Sequence, residues 1–289
     1  MKFLPINKLV KSLLLLLSVS QAQAAIIFNL NFTPDALAQY SVAEQQAFTD
    51  GLVFWDSIID GHQDGVDRTF TLTVDAFDQA PAGGFITLGS AGPGGRVFTN
   101  VVAGAAPANS RYIVATTGFA QFNTNAAAGA LRADVILHEI GHTLGIGTLW
   151  EDNELYNDGV ANNSNRTGAG AVGQYTGANG VTAYQAEFNQ VGNFIPVELG
   201  GGGTAHGHWN EVDGGNGLTG ITNADGQDFR DELMTGFAAP SEGDSFVSET
   251  TKKSLIDLGF TLHPEPVPEP SSTALLGLGG LALALRRKR

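Results

Sequence analysis

The sequence predicts an α+β fold, in which strands and helices alternate along residues 25–150 and an irregular segment follows over residues 151–262. Short stretches of alternating apolar and polar residues predict the strands, and two longer stretches with apolar residues every three or four positions predict the helices. Beyond Glu151 the chain is rich in Gly, Asn and Thr, with only short periodic pieces. The 38 glycines among 289 residues are typical of long loops.

A strand, a turn and a long helix are predicted first. Ala25–Phe32 alternates as a half-buried strand does, and Thr33-Pro34-Asp35 is typical of a turn. Ser41 and Glu44 are three residues apart, as in a capping box at the start of a helix. Apolar residues then recur at helical spacing, so we expect this helix to run to about Ile59.

Two strands and a second helix complete the first part. The alternating segments Arg68–Phe77 and Arg111–Phe119 are predicted to be strands. Between them, residues 80–95 are rich in Gly and Pro and contain one short apolar piece, Phe85–Leu88. Helical spacing returns over Asn125–Gly145, where Gly145 can adopt the positive φ of a helix C-cap.

Both ends of the chain have the composition of targeting segments. Residues 1–24 contain three lysines, a run of leucines and Ala22-Gln23-Ala24, which predicts a signal peptide cleaved near Ala24; a short buried helix is the alternative. Residues 263–289 form a linker and a tail, in which Pro-Glu-Pro at 268–270 precedes an apolar stretch at 271–285 and four basic residues. That apolar stretch is shorter than the roughly 20 residues of a membrane span.

The tail resembles the PEP-CTERM sorting signal of Gram-negative bacteria. The resemblance implies transient anchoring at the inner membrane, cleavage by an exosortase-type enzyme, and release to the cell surface or the medium. A permanent membrane anchor is the alternative.

Charge and cysteine content exclude several classes of function. Residues 25–285 hold eight basic residues against 29 acidic ones, a net charge of −21, which repels nucleic acid and anionic lipid. The chain has no cysteine, so disulfides, thiolate metal ligands and thiol nucleophiles are all excluded.

The segment VILHEIGHTLGIGTLW, residues 135–150, carries the pattern His-Glu-x-x-His. Residues four apart lie on one face of a helix, so His138 and His142 can bind one ion, while Glu139 is turned by about 100 degrees and stays close to it. The alternative is a core helix with two hydrogen-bonded histidines. That alternative leaves a buried carboxylate without compensation, which is costly, so the pattern favours a metal site.

A catalytic zinc takes three protein ligands, so a third residue is needed. Among the four remaining histidines, His62 in a polar segment and His263 beside the tail are expected to be solvated surface residues. The glycine-rich segment GGGGTAHGHWNE, residues 200–211, contains the other two, His206 and His208. Because the segment is flexible, either histidine can reach the helix and serve as the third metal ligand.

Residues 135–262 resemble the leishmanolysin-type metzincins, in which an insertion separates the helix from the third histidine. Segments 175–185 and 248–260 are similar to bacterial members, and Thr148 stands where the shorter metzincin pattern has its third histidine. The motifs that carry the resemblance are His208-Trp209-Asn210-Glu211 and Asp231-Glu232-Leu233-Met234-Thr235-Gly236. The resemblance implies an α+β zincin fold, with an N-terminal twisted mixed sheet, two long helices and an irregular C-terminal subdomain.

The resemblance also implies a zinc (Zn²⁺) site and a role for each matching residue. His208 is favoured over His206 because it directly precedes tryptophan, although His206 stays an alternative. Met234 matches the methionine of the turn beneath the zinc, with an ordinary core methionine as the alternative. The implied zinc ligands are His138, His142 and His208, and the implied general base is Glu139.

These residues predict a secreted zinc-dependent endopeptidase that acts on protein or peptide substrates. The resemblance implies that an extended substrate pairs with an exposed strand ahead of the helix that carries His138 and His142, and Arg111–Phe119 is the matching strand by order. A non-catalytic zinc-binding protein of the cell surface or extracellular matrix is one alternative. A carbohydrate-binding or adhesion module is the other.

Overall fold

The computed structural model describes residues 25–99, 111–159, 170–213 and 215–264. The predicted signal peptide and nearly all of the predicted linker and tail lie outside these residues. The described helices are α1 (Pro34–Gln39), α2 (Val42–Ile58), α3 (Ala133–Leu144), α4 (Ala178–Phe188) and α5 (Glu249–Asp257). The described strands are β1 (Ile26–Phe32), β2 (Ile59–His62), β3 (Arg68–Phe77), β4 (Gly89–Pro93), β5 (Arg96–Phe98), β6 (Ile113–Ala115), β7 (Thr117–Asn123), β8 (Gln174–Tyr175), β9 (Ile195–Pro196) and β10 (Phe260–Leu262).

The segment Thr33-Pro34-Asp35 begins a helix, so the prediction of a turn is wrong. Thr33 is the N-cap of α1, its hydroxyl accepts the N–H of Ala36 at 3.2 Å, and Pro34 supplies the φ that the first helical position needs. The capping box of α2 is confirmed. The Ser41 N–H donates to Glu44 Oε2 at 2.8 Å, and the Glu44 N–H donates to Ser41 Oγ at 3.3 Å.

A four-stranded mixed sheet has the order β1-β3-β7-β4, in which β1, β3 and β7 are parallel and β4 is antiparallel. The prediction of one strand over Arg111–Phe119 is wrong, because the chain changes partners at Thr116: β6 pairs with β5, and β7 pairs with β3 and β4. The prediction that this segment forms an exposed edge of the sheet is also wrong. The strand β7 lies inside the sheet, and β4 forms the edge next to it.

The glycine-rich segment before β5 therefore contains the strand β4, which its composition did not predict. Glycine weakens a strand in general, but it also allows close approach of another element. A Cβ on Gly89 would lie 2.6 Å from Glu139 Oε1, so this close approach requires glycine.

The second long helix is shorter than predicted. Residues 126–128 form one 3-10 turn that Asn125 caps by accepting the Ala127 N–H at 3.1 Å, and α3 itself begins only at Ala133. The predicted end is confirmed, because Gly145 has φ 116° and its N–H donates to carbonyls of the last turn.

One buried cluster of apolar side chains runs from Ile26 to Phe260 and includes residues on both sides of position 150. The strand β10 pairs with β2, and this pairing joins the two parts of the chain. His62 was expected on the surface, but it is 3% exposed and its ring stacks on Phe260 at 4.9 Å. The polar residues around His62 do not indicate this partner, because Phe260 lies almost 200 residues away in the sequence. His263 has a side chain that is 46% exposed, as predicted.

Candidate metal centre

The helix α3 presents His138 and His142 on one face, and α2 holds the helix in place. The indole Nε1 of Trp55 donates to the carbonyl of Leu137 at 3.0 Å. Gly51 of α2 lies so close to α3 that a Cβ there would be 2.8 Å from Ile140 Cδ1. The helix α3 is therefore packed against α2 through its apolar face.

His208 reaches the same place through the pairing of three extended segments. Trp209 bridges Val197 on one side and Thr235 on the other. Its fully buried indole stacks on Trp150 at 4.5 Å and donates from Nε1 to Thr251 Oγ1 at 2.8 Å. Because Trp209 is anchored in the core, the preceding histidine is held beside α3.

The three histidine rings converge on one point through their Nε2 atoms. The Nε2 of His142 lies 2.9 Å from those of His138 and His208, and the remaining pair is 3.1 Å apart. Zinc–imidazole bonds are about 2.0–2.1 Å long, so three nitrogens at these separations can all bind one ion. Among the described residues, these three histidines are the one cluster of at least three His, Cys, Asp or Glu side chains that could hold a metal.

Backbone carbonyls determine which nitrogen each ring presents. Each Nδ1 atom lies close to a backbone carbonyl oxygen, which can only accept a hydrogen bond. The distances are 2.6 Å from His138 to Leu233, 2.8 Å from His142 to Ile146 and 2.6 Å from His208 to Thr204. Each Nδ1 therefore carries the proton and each Nε2 has a free lone pair.

Burial keeps these rings neutral. Burial lowers the pKa of His138, and it lowers the pKa of His208 to about 3. Burial and the two neighbouring histidines together hold the pKa of His142 well below its ordinary value. Three lone pairs about 3 Å apart repel one another unless a cation lies between them. The donor set therefore fits a zinc ion.

Met234 lies directly against α3. Its side chain is fully buried, and a Cβ on Gly141 would be 2.8 Å from its Sδ. The Met234 N–H donates to Glu232 Oε2 at 2.7 Å, and its carbonyl accepts the Trp209 N–H at 3.0 Å. One turn thus supports the helix between its two histidines and the segment that carries the third.

Glu139 is buried beside the edge strand. Its side chain is 6% exposed, and burial raises its pKa to about 8. A cation bound next to this carboxyl would lower that pKa. Gly89 leaves room for the carboxyl group, and no sequence motif pointed to this glycine.

His206, the alternative third ligand, lies outside the cluster. Its Nδ1 is 2.7 Å from the hydroxyl of Tyr156. Sequence reasoning also missed the three carbonyls that orient the histidine rings of the cluster, because every residue has a backbone carbonyl and the sequence does not show which ones face a ring.

Residues 266–289 match a known family, the PEP-CTERM protein-sorting motif. No curated protein and no solved structure matches the chain. Within the part of the chain that the structure describes, every helix is too short or too polar to cross a membrane. Exosortases recognise this motif during export, and it indicates delivery to the cell surface or the extracellular space of a Gram-negative bacterium.

Proposed function

We propose that this protein is a secreted zinc-dependent endopeptidase with a metzincin-like zincin fold of the leishmanolysin type. The observation that carries the proposal is the convergence of three neutral Nε2 atoms, next to a buried glutamate on the same helix. Three histidine ligands leave a zinc position open for water or substrate, as catalytic sites require.

His138, His142 and His208 would hold the ion through Nε2, with their orientation set by the three carbonyls. When bound, zinc polarises the scissile carbonyl, stabilises the developing oxyanion and lowers the pKa of the attacking water to about 7. Glu139 takes the proton of that water and passes it to the leaving amine. The limited space beside Gly89 restricts the positions that this carboxyl can adopt.

The edge strand β4 supports a site for an extended peptide. The carbonyl of Leu88 and the N–H of Gly94 bond to β7, so by antiparallel alternation the backbone groups of Ser90 and Gly92 also face β7. Gly89 and Ala91 then direct their N–H groups away from the sheet, where a peptide can pair with them.

Casein hydrolysis by the zinc-loaded protein tests this function, with Glu139→Ala as the matched variant. We expect hydrolysis by the parent and a loss of several orders of magnitude in the variant, while zinc content stays equal. If folded parent protein binds zinc and cleaves neither casein nor a peptide library, the proposal is wrong. A non-catalytic zinc-binding surface protein would then replace it.

A further inference from the structure

The strand β1 forms the edge of the mixed sheet that lies opposite to β4. Among the described residues, it pairs with β3 alone, and this pairing is parallel. The Arg68 N–H donates to the carbonyl of Ala25 at 3.2 Å. At the other end of the pairing, the Thr33 N–H donates to the carbonyl of Val74 at 3.0 Å. Odd-numbered residues of this segment therefore direct their backbone groups towards β3, and even-numbered residues direct theirs away from the sheet.

The outward backbone groups of β1 belong to four residues: Ile26, Phe28, Leu30 and Phe32. Within the part of the chain that the structure describes, their N–H and carbonyl groups form no hydrogen bond. An open edge of this kind is a template for another strand, and proteins usually protect it with charged residues, proline or a bulge. The seven residues of β1, IIFNLNF, include neither charge nor proline, and their register with β3 is unbroken. The edge can therefore accept another strand.

The charge distribution favours a second copy of this chain as the partner of β1. Residues 25–285 hold eight basic and 29 acidic residues, a net charge of −21, so two copies repel each other over most of their surface. The strand β1 is uncharged, and its solvent-facing side chains are those of Ile27, Asn29 and Asn31. The side chain of Ile27 is 58% exposed. Two copies can therefore approach each other along β1 without repulsion between the contacting strands.

The strand β1 is complementary to itself in the antiparallel orientation. When a two-fold axis passes beside Asn29, every outward residue faces an outward residue of the second copy. Ile26 then faces Phe32 of the second copy, and Phe28 faces Leu30 of the second copy. An axis beside Phe28 or Leu30 instead would leave one outward residue of each copy without a partner. The register centred on Asn29 therefore forms the largest number of hydrogen bonds.

We propose that this protein forms a two-fold dimer through antiparallel pairing of β1 with β1 of a second copy. The two four-stranded sheets then join into one continuous sheet. The strand β4 lies at the far end of each sheet, so the dimer leaves both copies of β4 at its outer edges. The proposal does not depend on the proposed peptidase function, because β1 contains no residue of the three-histidine cluster.

Analytical ultracentrifugation of the exported protein over a concentration series tests for this dimer. We expect a reversible equilibrium between monomer and dimer. In Asn29→Asp and in Asn29→Lys, like charges lie directly opposite each other across the two-fold axis, so the dissociation constant should rise by at least about fivefold. An equimolar mixture of the two variants should restore association, because the facing charges are then opposite in sign. The side chain of Asn29 is exposed, so both variants should keep the parental melting temperature.

Cross-linking tests the register, because the chain contains no cysteine of its own. In the proposed dimer, position 29 faces position 29 of the second copy in a non-hydrogen-bonded pair. The Cα atoms of such a pair are about 4.5 Å apart, a distance at which a disulfide can form. Asn29→Cys should therefore form a disulfide-linked dimer on mild oxidation. Position 31 faces position 27 of the second copy, so Asn31→Cys should cross-link only when it is mixed with Ile27→Cys.

Four results would overturn the proposal. These are a parent protein that stays monomeric at every concentration, assemblies larger than a dimer, a dimer that Asn29→Asp does not weaken, and a mixture of the two charged variants that stays monomeric. Equal cross-linking of Asn29→Cys alone and Asn31→Cys alone would also overturn it, because random collision gives that result. Neither measurement involves peptide hydrolysis, so a failure of this proposal is distinct from a failure of the peptidase function.

Discussion

Three backbone carbonyl oxygens determine that the histidines of the candidate centre all present Nε2. This arrangement distinguishes His208 from His206, whose Nδ1 lies 2.7 Å from the hydroxyl of Tyr156 and not beside a backbone carbonyl. Replacing His208 with Ala should raise the dissociation constant for zinc by more than about 100-fold, because effects of 10–100-fold already follow from changes outside the ligand set. Zinc titration by calorimetry measures this change.

The matched control is His206→Ala, which should bind zinc as the parent does. Equal zinc affinity in His208→Ala and the parent would contradict the assigned ligand set, and a loss of zinc in His206→Ala would do so as well.

Gly89 should matter for catalysis without taking part in zinc binding. In Gly89→Ala the added methyl group would lie 2.6–2.8 Å from the Glu139 carboxyl, so this group must move. We expect kcat/KM to fall by about 10²-fold, the effect of a displacement near 1 Å, at unchanged zinc stoichiometry.

Gly92→Ala is the control for that substitution, because its methyl group would meet its nearest atom only at 4.0 Å. A loss of activity in Gly92→Ala as large as that in Gly89→Ala would mean that Glu139 is not the group affected.

Some residues of the candidate site can be predicted from the sequence and others cannot, for physical reasons. The spacing of His138 and His142 specifies one helical face, and the order His208-Trp209 pointed to a histidine that joins the cluster and whose neighbour is fully buried. Gly89 gave no signal, because its importance depends on a side chain 50 positions away.

At the scale of elements, the edge strand β4 yields a test of peptide pairing. The outward N–H of Ala91 takes no part in the bonds between β4 and β7, so Ala91→Pro removes a contact with substrate and keeps the sheet intact. We expect kcat/KM for an extended hexapeptide to fall by about 10-fold with little change in melting temperature.

Ser90→Pro serves as the contrasting variant, since the Ser90 N–H faces β7 by alternation and its removal should destabilise the sheet. If Ala91→Pro cleaves peptides at the parental rate, substrate does not pair with this strand.

Local patterns predicted the elements that local interactions determine. The capping residues Ser41 and Glu44 and the alternation of Arg68–Phe77 act within their own segments, and both predictions are confirmed. The change of strand partners at Thr116 depends on the pairing of β6 with β5, and the interior position of β7 depends on its pairing with β3 and β4. The sequence of a single segment does not show which strands it pairs with.

At the scale of the whole molecule, the buried His62 links stability to pH. Burial, and secondarily the charge of Arg68, lower its pKa from 6.5 to about 4. Between these values the unfolded chain binds the proton and the folded chain does not, so the free energy of unfolding falls as pH decreases from about 6.5 to 4. The loss from this group is about 3 kcal/mol, at 1.36 kcal/mol per pKa unit.

Urea unfolding of the parent and of His62→Phe between pH 4 and 7 measures this contribution. The stability of the variant should depend less steeply on pH, because phenylalanine does not titrate. Parallel curves for the two proteins would contradict the buried, neutral state of His62.

The pairing of β2 with β10 has a mechanical consequence for a protein delivered by its C-terminal end. Any pull on the sorting motif at 266–289 enters the fold at β10, which ends at Leu262. The load passes through backbone hydrogen bonds to β2, and neither strand contains a residue of the three-histidine cluster. Tension from the tether therefore enters the fold at a pair of strands that carries none of the three imidazoles.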